Sequence, residues 1–148
     1  MIQAQVKKAD FSGRWRFNEE KSNFEEGRGF RSIGHLTVKQ TDNKLSVDKQ
    51  RIKLNGESTI ITEKFTLNGK VCINNSDREG QCKTIVTWST DMKRLYFDIT
   101  RTFDWTGQTT SLRSAEEWSL IDSKTLSILS SLTMQVGEKK AMLVYDKE

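Results

Sequence analysis

The sequence predicts an all-β protein, built as an antiparallel up-and-down barrel of eight to ten strands. From Ile33 onward, apolar and polar residues alternate with a period of two, as in half-buried strands. Turn signals recur at intervals of about ten residues. The 148 residues contain no proline, which fits a chain that consists mostly of hydrogen-bonded ladder. Helical spacing is not sustained anywhere.

Ten segments carry the strand pattern, with turn residues between them. The Asn55-Gly56 and Asn68-Gly69 pairs are strong hairpin signals, because both residues tolerate a positive φ. The charged segment 18–31, after the first strand, has room for a short helix at most. We assign residues 1–9 to a disordered N-terminal segment and 10–148 to a single domain. The predicted strands span residues 12–17, 33–40, 45–54, 58–67, 70–75, 81–89, 94–104, 109–120, 125–134 and 140–146.

The strand register follows from two of the turns. A hairpin around 91–92 pairs Trp88 with Leu95, and a two-residue turn at 106–107 places Leu95 opposite Trp118. A slip of one residue would turn the apolar set outward, so this register is strongly specified. Successive hairpins favour a barrel over a sandwich, and closure removes the open sheet edges. The dry face then collects Val86, Trp88, Leu95, Phe97, Ile99, Phe103, Leu112, Trp118 and Leu120.

Composition excludes some classes of function. The 24 basic and 20 acidic residues give a net charge of +4, and the basic residues form no stripe of the kind that binds nucleic acid. No apolar run of about 18 residues is present, so we predict no transmembrane segment. The N-terminus is too short and polar for a complete signal peptide, but Gln3-Ala4-Gln5 resembles the end of a bacterial export signal. A secreted or periplasmic location is therefore expected.

Several motifs together resemble a known family. Asp10-Phe11-Ser12-Gly13-Arg14-Trp15-Arg16-Phe17-Asn18, followed by Lys21-Ser22-Asn23-Phe24, is similar to the opening of lipocalins and fatty-acid-binding proteins, the calycin group, with its Gly-x-Trp strand and short helical lid. The resemblance continues through Asn68-Gly69-Lys70, Thr87-Trp88-Ser89, Glu117-Trp118-Ser119-Leu120 and Leu143-Val144-Tyr145-Asp146-Lys147. Over nearly its full length, the chain resembles lipocalin-like secreted proteins of Bacteroidetes-type bacteria.

This resemblance implies structural roles for Gly13 and Trp15, with Trp15 closing one end of a barrel and any ligand held inside. Lipocalins usually place an Arg of the last strand over this Trp, and the nearest candidate here is Lys147. Fatty-acid-binding proteins carry two lid helices, whereas segment 18–31 has room for only one or two turns.

Arg101 is the most informative polar residue, because alternation points it to the same side as Ile99 and Phe103. A buried charge requires a partner. In one interpretation Arg101 binds the carboxylate of a ligand, as an interior Arg does in fatty-acid-binding proteins. In the other interpretations Arg101 forms an internal ion pair with Glu116 or Glu63, or its side chain contacts solvent at the barrel mouth.

Cys72 and Cys82 flank the turn at 74–80 and are predicted to lie opposite one another. The sequence is compatible both with a disulfide and with two free thiols. No second cysteine pair and no histidine cluster supports a zinc site. His35, the sole histidine, is expected to face solvent. We find no catalytic constellation and no phosphate-binding loop, and therefore predict neither an enzyme nor a bound cofactor or metal.

Two functions are compatible with these observations. The first is binding of a small hydrophobic or amphipathic ligand, such as a fatty acid, with Arg101 and Glu116 at its polar end. The aromatic residues Trp88, Phe97, Phe103 and Trp118 would then contact its apolar part. The alternative is a filled barrel that acts through its surface as a cell-envelope interaction or inhibitor module. The sequence does not identify a ligand, a partner or an oligomeric state.

Overall fold

The computed structural model describes residues 7–23, 33–53, 55–76, 80–105, 107–134 and 137–148. They form ten strands, and every predicted strand is present with ends that agree to within about three residues. The strands are β1 (Gly13–Phe17), β2 (Ile33–Gln40), β3 (Lys44–Ile52), β4 (Ser58–Thr66), β5 (Val71–Ser76), β6 (Gly80–Trp88), β7 (Arg94–Trp105), β8 (Gln108–Asp122), β9 (Thr125–Met134) and β10 (Gly137–Lys147).

The strands form one antiparallel sheet in the order β4-β3-β2-β1-β10-β9-β8-β7-β6-β5. Each strand pairs with its neighbour in sequence except across β4 and β5, and the pairing of β1 with β10 joins the two halves. The predicted register is confirmed: Trp88 pairs with Leu95, and Leu95 pairs with Trp118. The result is the predicted up-and-down barrel, nearly closed on itself.

Two predicted segments fall partly outside the described residues. Of the predicted short helix, only 18–23 is described, and these residues form a turn and a bridge between Asn23 and Met142 rather than a helix. Of the predicted disordered segment, 7–9 is described, and the Ala9 N–H donates to the Met92 carbonyl at 2.9 Å. The described part of the chain contains no helix with the length and hydropathy needed to cross a membrane.

One end of the barrel, which we call the base, is filled by aromatic side chains. Phe11 is fully buried, and its ring centroid lies 5.9 Å from that of Trp118 and 6.2 Å from that of Trp88. Trp15 is 1% exposed, and its Nε1 donates to the Phe11 carbonyl at 3.0 Å. Trp15 is therefore part of the packed base, and its role as a plug of the barrel end stays a prediction.

The β4–β5 seam, formed by Lys64, Thr66, Cys72 and Asn74, closes the wall with side chains instead of a ladder. The Asn74 amide oxygen accepts from the Lys64 N–H at 3.0 Å, and its Nδ2 donates to the Lys64 carbonyl at 3.1 Å. The Cys72 Sγ accepts from the Thr66 N–H at 3.1 Å. These side chains satisfy main-chain groups that a paired strand would otherwise satisfy.

Candidate ligand-binding site

Charged residues point into the barrel above the packed base. On β3, Leu45 and Val47 are buried, and alternation places Lys49 and Arg51 on the same inner face. On β4, Glu63 is only 8% exposed and lies two residues from buried Phe65. Charged side chains inside an otherwise apolar barrel cost free energy unless they form ion pairs or bind a ligand.

Lys49 and Glu63 form an ion pair inside the barrel, with 2.5 Å between Nζ and Oε1. Burial alone lowers the pKa of Lys49, but the carboxylates of Glu116 and Glu63 more than compensate, so that its pKa lies above the ordinary value. The ammonium group is therefore held in its charged form by two carboxylates.

Glu116 and Tyr145 belong to the same group. The Trp118 Nε1 donates to Glu116 Oε1 at 3.0 Å, which fixes the carboxylate above the base. Burial raises the pKa of the Tyr145 hydroxyl; the charge of Glu116 raises it further and that of Arg51 opposes the rise. We call Lys49, Arg51, Glu63, Glu116 and Tyr145 the interior polar cluster.

Arg101 faces inward, as predicted, and its Cα partners are Cys82 on β6 and Leu112 on β8. Of the two acids considered as its internal partners, Glu63 pairs with Lys49 and Glu116 accepts from Trp118, and Arg101 has an interaction of its own within the protein. The assignment of Arg101 to a ligand carboxylate stays a prediction.

The four aromatic residues predicted to contact a ligand divide between two levels. Phe97 and Trp118 are buried, with ring centroids 4.9 Å apart, and Trp88 stacks near Phe11, so these three belong to the packed base. The buried Trp88 Nε1 has no hydrogen-bond partner in the described part of the chain. Phe103 is half-buried and lies eight residues along β7 from Leu95, about 27 Å at strand spacing. Phe103 therefore lies far from the base.

Cys72 and Cys82 are buried free thiols. The prediction that they face each other directly is wrong, because Cys72 pairs with Thr84 while Cys82 pairs with Asn74. This places the cysteines on diagonal positions of the hairpin, where Cα atoms are typically about 7–8 Å apart, beyond the range for an unstrained disulfide. No disulfide joins them in the structure.

His35 lies on the outer face of β2, where its side chain is partly covered. Its Nε2 is 2.7 Å from Glu148 Oε1, and its Nδ1 is 2.8 Å from Gln50 Oε1. Among the described residues, no group of three or more His, Cys, Asp or Glu side chains could hold a metal ion.

A trough of about 910 Å³ crosses the outer surface of β6 to β10. Register places Ile85, Tyr96, Ala115 and Leu129 on this outer face, because their strand neighbours Val86, Phe97, Glu116 and Ser130 point inward. Tyr96 and Leu129 are 41% and 45% exposed. The trough therefore lies on the opposite face of the sheet from the interior polar cluster, and Glu116 of that cluster also borders it.

Sequence reasoning missed Lys49, Arg51 and Tyr145. The signal is in the sequence: Leu45 and Val47 are apolar residues of the predicted strand 45–54, and the same period places 49 and 51 on their face. The hydrophobic pattern treats these two residues simply as polar. It therefore favours a strand whose second half faces water.

Comparison with known proteins supports the fold. No model of a protein family matches the chain, and no curated protein matches it. Among solved structures, the zebrafish ileal bile acid-binding protein in complex with cholic acid superposes with a TM-score of 0.61 at 14% sequence identity. The match covers 93% of this chain and 98% of that chain. The chain thus shares the barrel fold of that protein.

Proposed function

We propose that the protein binds a small amphipathic molecule with one anionic group, of fatty-acid or bile-acid type, inside the barrel. The observation that carries this proposal is the interior polar cluster together with Arg101, which also faces inward. Three cationic side chains, Lys49, Arg51 and Arg101, and two carboxylates, Glu63 and Glu116, face a wall that is otherwise largely apolar. Cationic side chains beside an apolar wall favour a ligand that has an anionic group and an apolar body.

The packed base fills one end of the barrel, so we propose that the ligand lies toward the other end. Phe97 and Trp118 fill the lower interior, so the ligand occupies the space beyond them, toward the end of the barrel marked by Phe103. There Ile99, Phe103 and Leu112 are half-buried and face inward. We propose that these side chains contact its apolar part while Arg101 and Lys49 orient the anionic group.

The comparison structure supports this class of ligand. The zebrafish protein that shares the fold was solved with cholic acid, an amphipathic molecule. At 14% identity the likeness concerns the fold alone, so the ligand class here rests on the charges and apolar groups of this chain. By the same reasoning we propose binding rather than catalysis.

The test is titration with a fluorescent fatty acid that carries a free carboxylate. We expect Arg101→Leu and Lys49→Met to weaken binding at least tenfold, which corresponds to about 1.4 kcal/mol, while circular dichroism shows an intact β fold. Arg113→Leu is the control, because Arg113 lies on the outer face of β8 with a largely exposed side chain. Equal affinity of wild type, Arg101→Leu and Lys49→Met would refute the proposal.

A second candidate is a barrel that acts through its surface as an interaction or inhibitor module. The trough across the outside of β6 to β10 and the dense packing of the base favour it. Native mass spectrometry of protein purified gently from its own host separates the two functions. An adduct of lipid-like mass supports the interior site, whereas a clean apo mass without binding of added fatty acid supports the surface.

Location is a separate proposal. We propose that the protein is secreted or periplasmic, on the basis of the Gln3-Ala4-Gln5 segment alone. Fractionation of host cells with a specific antibody tests it, and recovery of the protein only with the cytoplasmic fraction would exclude export.

A further inference from the structure

The edge of β4 that faces away from β3 carries main-chain groups that bond to no other described residue. The Lys64 N–H and carbonyl and the Thr66 N–H bond to the side chains of the β4–β5 seam, so these residues direct their groups away from β3. Main-chain groups alternate between the two edges of an antiparallel strand. Ser58, Ile60 and Thr62 therefore present their N–H and C=O groups on that same edge. Within the described part of the chain no hydrogen bond reaches these groups.

This part of the edge is exposed and chemically suited to pairing. Ile60 is 69% exposed, and Ser58 and Thr62 are exposed as well. Between Glu57 and Glu63 the chain reads Ser-Thr-Ile-Ile-Thr, with no charge, glycine or proline and with four β-branched residues that favour strands. Natural edges are usually protected by charges, bulges or proline. The β3–β4 register runs without a bulge, so this edge has none of these protections.

We infer that this edge pairs with the same edge of a second copy of the chain, antiparallel and about a twofold axis at Ile60. Ile60 then faces the partner's Ile60, and Ser58 faces the partner's Thr62. All main-chain groups of the three residues are satisfied, in about six hydrogen bonds. The two sheets join into one continuous sheet across the axis.

The choice of a second copy rests on the self-complementarity of the segment. An isologous contact brings each residue of a patch against the same patch. Residues 58–62 are uncharged, and the flanking Glu57 meets the partner's Glu63, whose carboxylate is already paired with Lys49. Ile52 is 39% exposed and pairs with Ser58 on the outer face that also carries Ile60. The twofold axis thus gathers Ile60 and Ile52 of both copies into one apolar cluster beside the hydrogen bonds.

The contact is small, so the dimer is weak and forms at high protein concentration. Five residues of one strand and a few side chains bury less area than the roughly 1,600 Å² of a standard stable interface. None of the paired residues 58–62 belongs to the interior polar cluster, so the dimer does not depend on the proposed ligand.

Sedimentation velocity between about 5 and 500 µM, which spans the range of weak association, tests the inference. We expect the wild-type sedimentation coefficient to rise with concentration toward that of a dimer. Ile60→Lys, which adds a charge at the axis, is expected to stay monomeric throughout. Ile121→Lys is the matched control, since Ile121 is 63% exposed on β8, and it is expected to behave like wild type. A monomeric wild type, or a dimer that Ile60→Lys leaves intact, overturns the inference.

Hydrogen exchange locates the contact independently of any substitution. The N–H groups of Ser58, Ile60 and Thr62 are expected to gain at least tenfold protection as the protein concentration rises through the dimerisation range. The Lys64 N–H, already bonded to Asn74, is expected to change little and serves as the internal reference. A dimer in which those three amides exchange as fast as in the monomer would place the interface elsewhere and overturn the assignment.

Discussion

The Lys147 ammonium group lies 5.7 Å from the centre of the Trp15 ring, over its face. The two residues are Cα partners across β10 and β1. Lys147, the candidate for this place in the sequence, is thus the cation that lies over Trp15. Its side chain also covers Gly13, where an added Cβ would lie 3.0 Å from Lys147 Cε and where φ is +142°. The Gly-x-Trp motif thus makes room for a residue of the last strand.

Removal of this ammonium group should destabilise the barrel moderately. We expect Lys147→Met to lower the free energy of unfolding by about 0.5–2 kcal/mol, since it keeps an apolar stem over the ring but loses the cation–π interaction. Lys147→Arg should retain most of that stability. Urea denaturation followed by Trp fluorescence measures both variants, and a Lys147→Met protein as stable as wild type would show that the contact contributes nothing.

The ion pair of Lys49 and Glu63 should show strong coupling in a double-mutant cycle. Lys49→Met leaves the mostly buried carboxylate of Glu63 without its ammonium partner and should cost about 2–4 kcal/mol. Lys49→Met combined with Glu63→Leu removes both charges and should recover most of that loss. Chemical denaturation of the two single variants and the double variant gives the coupling energy. Additive losses would mean that the pair does not stabilise the fold.

The fold was predictable from the sequence because local and long-range signals agree. Turn residues at 91–92 and at 106–107 fix two hairpins, and alternation on both sides of each turn selects one register, which is the register found for Trp88, Leu95 and Trp118. The β4–β5 seam was not predictable. Closure there depends on where the Asn74 amide and the Cys72 thiol meet the neighbouring main chain, and no periodicity encodes that.

The candidate site was predicted only in part, for a related physical reason. Arg101 stands out because its neighbours Ile99 and Phe103 are apolar, so its inward direction is visible in the sequence. Lys49 and Arg51 do not stand out, because charged residues at the end of a strand ordinarily face water. The ion pair inside the barrel joins Lys49 to Glu63 on the next strand, and the period of a single strand does not encode that contact.

Stability should fall at alkaline pH because of two groups in the interior polar cluster. Burial, with the charge of Glu116, raises the pKa of Tyr145 above its usual 10.0, and the nearby carboxylates raise that of Lys49 above 10.5. Above these ordinary values the unfolded chain releases protons that the folded chain keeps. Their contributions are therefore complete below about pH 10 and are lost as the pH rises through the folded-state values.

Tyr145→Phe isolates one of these contributions. Each proton retained by the folded state lowers stability by at most about 1.4 kcal/mol per pH unit. We expect the stability of wild type to fall between pH 9.5 and 11, as set by this linkage, and that of Tyr145→Phe to fall less steeply. Guanidinium denaturation at four pH values over this interval measures the two slopes. Identical slopes would show that the Tyr145 hydroxyl does not lose its proton differently on unfolding.

The Asn74 amide should make the hydrogen bonds to Lys64 that a paired strand would otherwise make. Asn74→Leu removes the acceptor for the Lys64 N–H and the donor for the Lys64 carbonyl, while Cys72 still holds Thr66. Two lost hydrogen bonds at an exposed site should cost about 1–2 kcal/mol, and the Lys64 amide should exchange faster. Asn75→Leu is the matched control, because Asn75 is an exposed neighbour on the same strand. Equal exchange of the Lys64 amide in both variants would mean that the seam closes without the Asn74 side chain.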